Sequence, residues 1–297
     1  MEAAHIAQVR RFNRVATERA GALSERFLGR TRPLGQARLL WEIGRAGAEV
    51  RDLRARLGLD SGYLSRLLRA LEREGLVVLR PDPADARVRR AILTPRGERE
   101  WDELESRSEA LAASVLEPLS ERHERELVSA METVERLLTA SLISVAVESP
   151  RGLAGRWCLE QYYAELGERF DAGFDPATSS LPDPGEMAPP GGLFVLARLR
   201  GEPVACGGLI VHGAEPAEIK RMWVAPRVRG LGLGRRLLSE LERKAREAGA
   251  PATRLDTNRN LTEAISMYRS SGYEEIADFN GEHYAHHWFE KRMPPSG

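Results

Sequence analysis

The chain has 297 residues with 44 basic and 44 acidic side chains, so its formal net charge is zero. Hydrophobic residues make up 42% and charged residues 30%, a globular composition that excludes a disordered or collagen-like chain. No apolar run reaches the roughly 20 residues of a membrane span, and the first residues lack the apolar core of a secretion signal. Two cysteines, Cys158 and Cys206, form neither a disulfide framework nor a metal-binding spacing. We expect a cytoplasmic protein of about two domains, with no membrane partner and no metal.

The zero net charge hides an uneven distribution along the chain. Residues 30–96 hold 15 arginines against 8 acidic residues, a net charge of +7. Residues 97–147 have a net charge of −7, and residues 148–297 have a net charge of −2. A basic segment inside a neutral chain indicates a polyanionic partner, although a solvated surface of salt bridges explains the same count.

Composition also divides the chain. Up to about residue 140 the sequence is rich in arginine, leucine and glutamate with helical periodicity, and beyond it glycine, proline and aromatic residues increase. Strand-like apolar runs appear at 193–199, 204–211 and 218–224. These changes predict a first domain over residues 1–141 and a second over residues 142–297.

Helical periodicity organises the first domain. An apolar stripe predicts a first helix along Val9, Phe12, Ala16, Ala20, Leu23 and Phe27. Further helices are predicted at 36–44, 50–58 and 61–75, the last capped by Asp60 or Ser61. Its buried face comprises Leu64, Leu67, Leu68 and Leu71. Its outer face comprises Ser61, Tyr63, Ser65, Arg66 and Arg69, an arrangement typical of a recognition helix that enters the major groove.

A hairpin follows this predicted recognition helix. Strands are expected at 76–80 and 87–94, joined by a Pro/Asp turn at 81–86. Three arginines lie near the tip of this wing: Arg87, Arg89 and Arg90. They are placed to reach phosphates or a narrow minor groove.

The order and spacing of these pieces resemble the MarR-type winged-helix regulators. The matching positions are Leu53, Leu57–Gly58, Leu71–Glu72, Gly75–Leu76, Arg80, Asp85, Arg87 and Leu93–Gly97. The resemblance covers nearly all of residues 5–140 and implies a homodimer on double-stranded DNA, with Asp85 orienting Arg87 toward the minor groove. It implies dimerisation through residues 4–28, 95–117 and 121–140. Ala86 stands where the family usually has another basic residue, which implies weaker binding by the wing. A winged helix that does not bind DNA is the alternative.

The segment 218–249 carries a different signal. An apolar strand ends at Val224, a glycine-rich turn covers 229–234, and an amphipathic helix follows with Leu237, Leu238, Leu241 and Ala245 on one side. Alternating glycines bring backbone N–H groups to a helix N-terminus, which favours a pyrophosphate ligand. Arg235 excludes the dinucleotide fingerprint, and the absence of Gly-Lys-Ser/Thr excludes a P-loop.

In this context the turn resembles the CoA-binding loop of the GNAT-type N-acetyltransferases, and 258–276 resembles their next motif. The positions that carry the second match are Asn260, Ala264, Tyr268, Gly272 and Tyr273. The resemblance covers roughly 142–293 and implies a mixed α/β fold whose central strands splay apart to admit acetyl-CoA. It implies that the backbones of Trp223 and Val224 pair with the pantetheine, and that Asn260 and Tyr268 contact the cofactor. The implied pyrophosphate site comprises Arg229, Gly230, Leu231, Gly232, Leu233 and Gly234.

Acetyl transfer needs a base for the ammonium substrate and an acid for the leaving thiolate. Side chains alternate along the strand 218–224, so Glu218, Lys220, Met222 and Val224 share one face. Glu218 is the candidate base and Tyr268 the candidate acid, while a surface carboxylate and a core tyrosine are the alternatives. His283, His286 and His287 lack companions at zinc spacing, so we expect strand or loop residues there.

The sequence therefore predicts a mainly α winged helix-turn-helix domain followed by a mixed α/β GNAT fold. The favoured function is a DNA-binding transcriptional regulator that is also an acetyl-CoA-dependent N-acetyltransferase acting on an unidentified amine. In one alternative, the second domain is a non-catalytic acyl-CoA or ligand sensor. In another, the winged helix serves only for dimerisation or substrate docking.

Overall fold

The chain divides into two compact units in a computed structural model, Met1–Glu132 and Thr133–Gly297. The structure describes residues 2–21, 28, 32–82, 85–171, 173–176, 178–179 and 183–293. Two residues of the predicted first-helix stripe, Leu23 and Phe27, lie outside these ranges, as do residues 83 and 84 of the wing turn. The predicted domain boundary after residue 141 stays a prediction, because one helix continues across the division between the units.

The first unit combines helices with a small antiparallel sheet. In chain order its described elements are α1 (Ala3–Arg19), α2 (Leu34–Ile43), β1 (Ala48–Glu49), α3 (Val50–Leu57), α4 (Ser61–Arg73), β2 (Val77–Pro81), β3 (Arg89–Leu93), α5 (Pro95–Leu116) and the start of α6 (Glu121–Ser141). The strand order is β1-β3-β2. The wing and the helices predicted at 36–44, 50–58 and 61–75 are confirmed, whereas α1 ends at Arg19, one residue before Ala20 of the predicted stripe. The two-residue β1 was not predicted, because only its pairing of Ala48 with Ala91 makes it a strand.

Helix α4 is fixed by a cap and by its apolar face. The Asp60 side chain accepts a hydrogen bond from the Tyr63 N–H at 2.8 Å, so Asp60 is the N-cap. Gly58, with φ of +63°, makes the turn after α3 in a left-handed conformation that glycine adopts readily. The four predicted leucines of α4 are at most 8% exposed and pack against α2. Burial of that face leaves the opposite face of α4 in solvent.

The second unit is a seven-stranded mixed sheet with helices. In chain order its elements are β4 (Ile143–Glu148), α7 (Leu153–Arg169), β5 (Gly192–Leu199), β6 (Glu202–Ile210), β7 (Ala217–Val224), α8 (Leu233–Glu247), β8 (Ala252–Thr257), α9 (Thr262–Ser270), β9 (Glu274–Ile276) and β10 (His287–Arg292). The strand order is β4-β5-β6-β7-β8-β10-β9. Strand β8 was not predicted. The predicted apolar face of α8 is confirmed, since its four members are at most 1% exposed.

The two central strands separate after a short contact. Strands β7 and β8 are parallel and pair only through Ala217 with Thr253 and Glu218 with Arg254. Both strands lie wholly within the described residues, and the rest of β7 has no strand partner on that side. The predicted splay is therefore present, and it leaves backbone N–H and C=O groups of β7 facing a gap.

A bulge lies on the other side of β7. The pairing with β6 passes from Cys206–Trp223 to Gly208–Lys220, so Arg221 and Met222 together face the single residue Gly207. Arg221 has a φ of +55°, a conformation that non-glycine residues seldom adopt. The bulge begins three residues beyond Glu218, the last residue of β7 that pairs with β8, and a bulge bends the strand that carries it.

No helix in the described parts of the chain is both long enough and apolar enough to cross a bilayer.

Candidate functional site

The outer face of α4 is available to a partner. All five residues predicted to face DNA are exposed: Ser61, Tyr63, Ser65, Arg66 and Arg69. The Arg66 guanidinium lies over the Tyr63 ring at 5.6 Å, a cation–π contact that fixes the direction of the side chain. The geometry of a recognition helix is thus present, while its contact with bases stays a prediction.

The wing carries two kinds of arginine. The carboxylate of Asp85 accepts hydrogen bonds from the backbone and guanidinium of Arg87, and these bonds lower the pKa of Asp85. Arg89 is also exposed. Arg90 instead donates to the Ala46 carbonyl at 3.1 Å and pairs with Asp82, so it fastens β3 to the turn before β1. Of the three arginines near the tip of the wing, Arg87 and Arg89 are therefore the two that are exposed.

Large apolar side chains remain exposed on two of the three segments predicted to form a dimer. On α1 and α6 they are Ile6, Val9, Phe12, Val15, Val128, Met131, Leu137 and Leu138, each at least 40% exposed. Contiguous apolar faces of this size mark interaction surfaces in soluble proteins. The dimer itself stays a prediction.

The glycine-rich turn has the conformation that its sequence indicates. Gly230 and Gly232 have φ of +77° and +74°, and Gly232 is the residue that precedes α8. An added Cβ at Gly232 would meet no described atom within 4 Å. The first N–H groups of α8 have no acceptors within their own helix, so they point toward whatever fills the turn.

Arg229 is held in place beside this turn. Its Nε donates to the Val224 carbonyl at 3.0 Å and its Nη2 lies 2.5 Å from Glu165 Oε2. The same carboxylate oxygen accepts from the Trp223 indole at 2.9 Å. Glu165 of α7 thereby fixes both the start of the turn and the end of β7.

A cleft of about 440 Å³ runs beside the turn. It is lined by the ends of β7, the turn, α7 and α9, and by five of the predicted pyrophosphate residues: Arg229, Gly230, Gly232, Leu233 and Gly234. Trp223 and Val224, expected to pair with pantetheine, line it as well. Because the adjacent edge of β7 has no strand partner, an extended pantetheine arm fits there as an additional strand. The described residues therefore suit acetyl-CoA.

A second, smaller cavity of about 80 Å³ lies between the splayed strands. Six residues line both spaces: Tyr162, Leu166, Met222, Leu261, Ala264 and Tyr268. The two cavities are thus neighbours that meet at Tyr268, as a transfer between a thioester and a second substrate requires.

Tyr268 stands at this junction with its hydroxyl available. The side chain is 6% exposed, and no described residue forms a hydrogen bond with its hydroxyl. Burial and the nearby charge of Asp256 raise the pKa of Tyr268 well above its ordinary value. The hydroxyl is therefore protonated at neutral pH and can donate to a sulfur.

Glu218 lies in a network of ion pairs. Its carboxylate is 3.2 Å from Lys220 Nζ, 2.8 Å from Arg254 Nη2 and 3.2 Å from His212 Nε2. Burial raises the pKa of Glu218, but the adjacent Lys220 and Arg254 outweigh burial, so that the net pKa is lowered. Glu218 is not among the described residues that line either cavity. Its role as the base stays a prediction.

Asp256 is a carboxylate that the sequence reasoning missed. It lies near the end of β8, lines the small cavity, and accepts at Oδ1 from Lys220 Nζ at 2.5 Å and Asn280 Nδ2 at 2.9 Å. No described donor contacts its Oδ2. The signal was weak because β8 itself was not predicted, so nothing placed residue 256 beside the strand 218–224.

Asn260 and the C-terminal histidines have structural partners. Asn260 Nδ2 donates to the Arg169 carbonyl at 2.8 Å and so joins α7 to the loop before α9. It is not among the described residues lining the large cleft, and its contact with the cofactor stays a prediction. His287 Nδ1 lies 2.6 Å from Glu275, and no group of three metal-binding side chains occurs within the described ranges.

Comparison with known proteins finds matches to both parts of the chain. The family profile of the acetyltransferase (GNAT) family matches residues 159–273, and that of the MarR family matches residues 28–88. The chain is 33% identical over 138 residues to the IAA acetyltransferase of Azospirillum brasilense, covering 46% of this chain and 88% of that protein. It is 32% identical over 122 residues to an uncharacterized N-acetyltransferase of Escherichia coli, covering 40% of this chain and 73% of the relative. A MarR-family regulator from Rhodococcus, solved by crystallography, aligns at 21% identity and a TM-score of 0.37, over 45% of this chain and 97% of its own.

The fold defines a two-domain protein with a winged helix and a mixed α/β domain that carries the two clefts. The chain belongs to the GNAT acetyltransferase family and carries a MarR-family winged helix ahead of that domain.

Proposed function

We propose that the chain is a bifunctional transcriptional regulator and N-acetyltransferase that acts in the cytoplasm as a homodimer. Residues 1–141 bind double-stranded DNA, and residues 142–297 transfer an acetyl group from acetyl-CoA to an amine. The observation that carries the catalytic half is the position of Tyr268, which lines both cavities of the second unit.

The chemistry follows from what the residues offer. Bound acetyl-CoA would supply the activated acetyl group, with its pyrophosphate on the turn 229–234 and its arm along β7. A base must take a proton from the acceptor, and the candidates are Glu218 from the sequence and Asp256 from the geometry. Tyr268 then protonates the departing sulfur, because its raised pKa keeps the hydroxyl protonated.

A second function is supported by one observation. The Glu218 carboxylate is committed to Lys220 and Arg254, which lowers its pKa and weakens it as a base. If no other group takes the proton, the second unit binds acyl-CoA without turnover and acts as a sensor that changes DNA affinity.

One set of titrations separates these functions. Calorimetry with acetyl-CoA measures cofactor binding, and thiol release in the presence of a panel of amines measures transfer. Affinity for duplex DNA is then measured with and without acetyl-CoA. Binding with amine-dependent thiol release supports the enzyme. Binding without turnover, together with a change in DNA affinity, supports the sensor. If acetyl-CoA does not bind, the enzyme function and the sensor function are both excluded.

A further inference from the structure

The chain is nearly devoid of lysine, and this bears on what it acetylates. Its only lysines are Lys220, Lys244 and Lys291, so residues 1–219, which include the whole wing and recognition helix, contain none. Each of the three ammonium groups is ion-paired. Lys220 pairs with Asp256 and Glu218, Lys244 pairs with Glu247, and Lys291 pairs with Glu242. An ammonium must lose its partner and its proton before it attacks a thioester. The acceptor is therefore a separate molecule. Lysine acetylation cannot change the charge of the DNA-binding unit, because residues 1–219 contain no lysine.

The smaller cavity, between the splayed strands, is where the acceptor would bind, and its volume limits the size of that molecule. At about 80 Å³ it is far smaller than the adjacent cleft of about 440 Å³. Sites for drug-sized ligands typically enclose about 300–1,000 Å³. A multi-ring aminoglycoside exceeds this space, whereas a small amine fits it.

One wall of the cavity is aromatic. The Phe174 ring lies 4.9 Å from that of Tyr284 and 5.8 Å from that of Phe170, measured between centroids. These three rings line the cavity together with Tyr162 and Tyr268. Offset and edge-to-face contacts with such a wall favour a flat aromatic group over an aliphatic chain of similar area.

The carboxylate of Asp256 lies on the same cavity. Its Oδ1 is occupied by Lys220 and Asn280, while its Oδ2 has no described hydrogen-bond donor. Asp256 lines this cavity together with Tyr162 and Tyr268, and both tyrosines also line the larger cleft. An ammonium bound at Oδ2 therefore shares the cavity with Tyr268.

From these observations we propose that the acceptor is a small arylalkylamine, with its ring against Phe174 and Tyr284 and its nitrogen at Asp256. The proposal rests on the acetyltransferase function proposed above and adds its substrate class. The ammonium gives one proton to Asp256, directly or through water, and solvent removes it. The neutral nitrogen attacks the thioester carbonyl, the C–N bond forms and the C–S bond breaks. The sulfur leaves with the Tyr268 proton, and the second proton of the nitrogen restores the tyrosine.

The test compares phenethylamine with n-hexylamine at saturating acetyl-CoA, with spermidine, kanamycin and a lysine peptide as other acceptor classes. We expect kcat/KM for phenethylamine to exceed that for n-hexylamine by about tenfold, because only the aryl ring makes ring–ring contacts. An equal or larger value for any other acceptor overturns the aryl class, as does acetyl-CoA binding without turnover of phenethylamine. Absence of acetyl-CoA binding in calorimetry overturns the acetyltransferase itself and is a separate result.

A variant tests the aromatic wall directly. Phe174→Ala should raise KM for phenethylamine by about tenfold and that for n-hexylamine by a smaller factor, because only the aryl ring loses ring–ring contacts as well as apolar contact. Leu153→Ala is the matched control, because Leu153 is 82% exposed at the start of α7 and outside the cavity lining. Equal losses for both amines would mean that Phe174 only supports the fold. Mass spectrometry after incubation with acetyl-CoA should find the three lysines largely unmodified, and stoichiometric modification of any of them would overturn an external acceptor.

Discussion

Both oxygens of the Asp85 carboxylate accept hydrogen bonds from the guanidinium of Arg87. The Nε–Oδ1 and Nη2–Oδ2 distances are both 3.1 Å, and the Arg87 N–H donates to the same carboxylate at 3.0 Å. The Arg87 side chain is 90% exposed, so its direction is set by this one neighbour. The wing therefore presents an oriented arginine, in the arrangement that the sequence resemblance implied.

Arg87→Ala should weaken binding to all duplex sequences and reduce the salt slope by about one unit, because one phosphate contact is lost. Asp85→Asn should weaken binding with little change in slope, since the charge of Arg87 remains. Affinity measured over a series of salt concentrations checks both. Arg99→Ala, at an exposed position of α5, is the control for a simple loss of charge. Equal slopes for all three variants would remove Arg87 from the interface.

The exposed apolar faces of α1 and α6 predict a homodimer. Light scattering at micromolar protein should give about twice the mass of one chain. Val9→Glu, which adds charge to a side chain that is 57% exposed, should shift the mass toward the monomer. Leu153→Glu changes an exposed leucine outside these helices and should leave the mass unchanged. A monomer mass for wild type at every concentration would contradict the prediction.

Gly232→Asp should abolish acetyl-CoA binding in calorimetry. The substitution puts a side chain and a negative charge where the start of α8 favours the pyrophosphate. Gly249→Asp is a close control, because Gly249 follows the other end of α8, has a φ of +83° and also has open space around it. Both variants carry the same backbone strain and charge. Loss of binding in both would mean that α8, and not the ligand site, was damaged.

Tyr268→Phe should leave acetyl-CoA affinity nearly intact and lower kcat by about 10²–10⁴, because only the proton donor is removed. The pKa of Tyr268 is raised, so the hydroxyl should stay protonated and no loss of rate should follow its titration at mildly alkaline pH. Tyr273→Phe is the matched control, since its hydroxyl bonds Thr253 at 2.8 Å and lies outside both cavity linings. A rate for Tyr268→Phe equal to that of Tyr273→Phe would deny Tyr268 a chemical role.

Asp256→Asn should lower kcat/KM by about 10²-fold, the size expected for loss of a general base. Glu218→Gln should cost less, because Glu218 is already paired with the cations Lys220 and Arg254 and lines neither cavity. The lowered pKa of Glu218 means that it is ionised throughout the neutral range. Its titration should therefore cause no fall in kcat/KM within that range. A pH profile of kcat/KM for each variant checks this. A larger loss in Glu218→Gln would return the role of base to that residue.

Patterns that are local along the chain could be predicted from sequence. The leucines of α4 and α8 follow the helical period, so their burial was foreseeable. Gly58 and Gly232 adopt left-handed backbone conformations, which glycine adopts without strain. Motifs with several fixed positions also carried both family resemblances. These features depend on neighbours three or four residues away, which the sequence contains in full.

Contacts between distant segments required the tertiary structure. Strand β8 and its Asp256 became visible only once β8 lay beside β7, because the segment has no distinctive period of its own. Strand alternation alone links Glu218 with Lys220, but its other partners, His212 and Arg254, come from other parts of the chain and follow no spacing rule. Arg90, expected to reach DNA, is instead held by the carbonyl of residue 46. The sequence alone thus determined the two families and the faces of their helices, whereas long-range packing decided which charged side chains line the site and which are held in ion pairs.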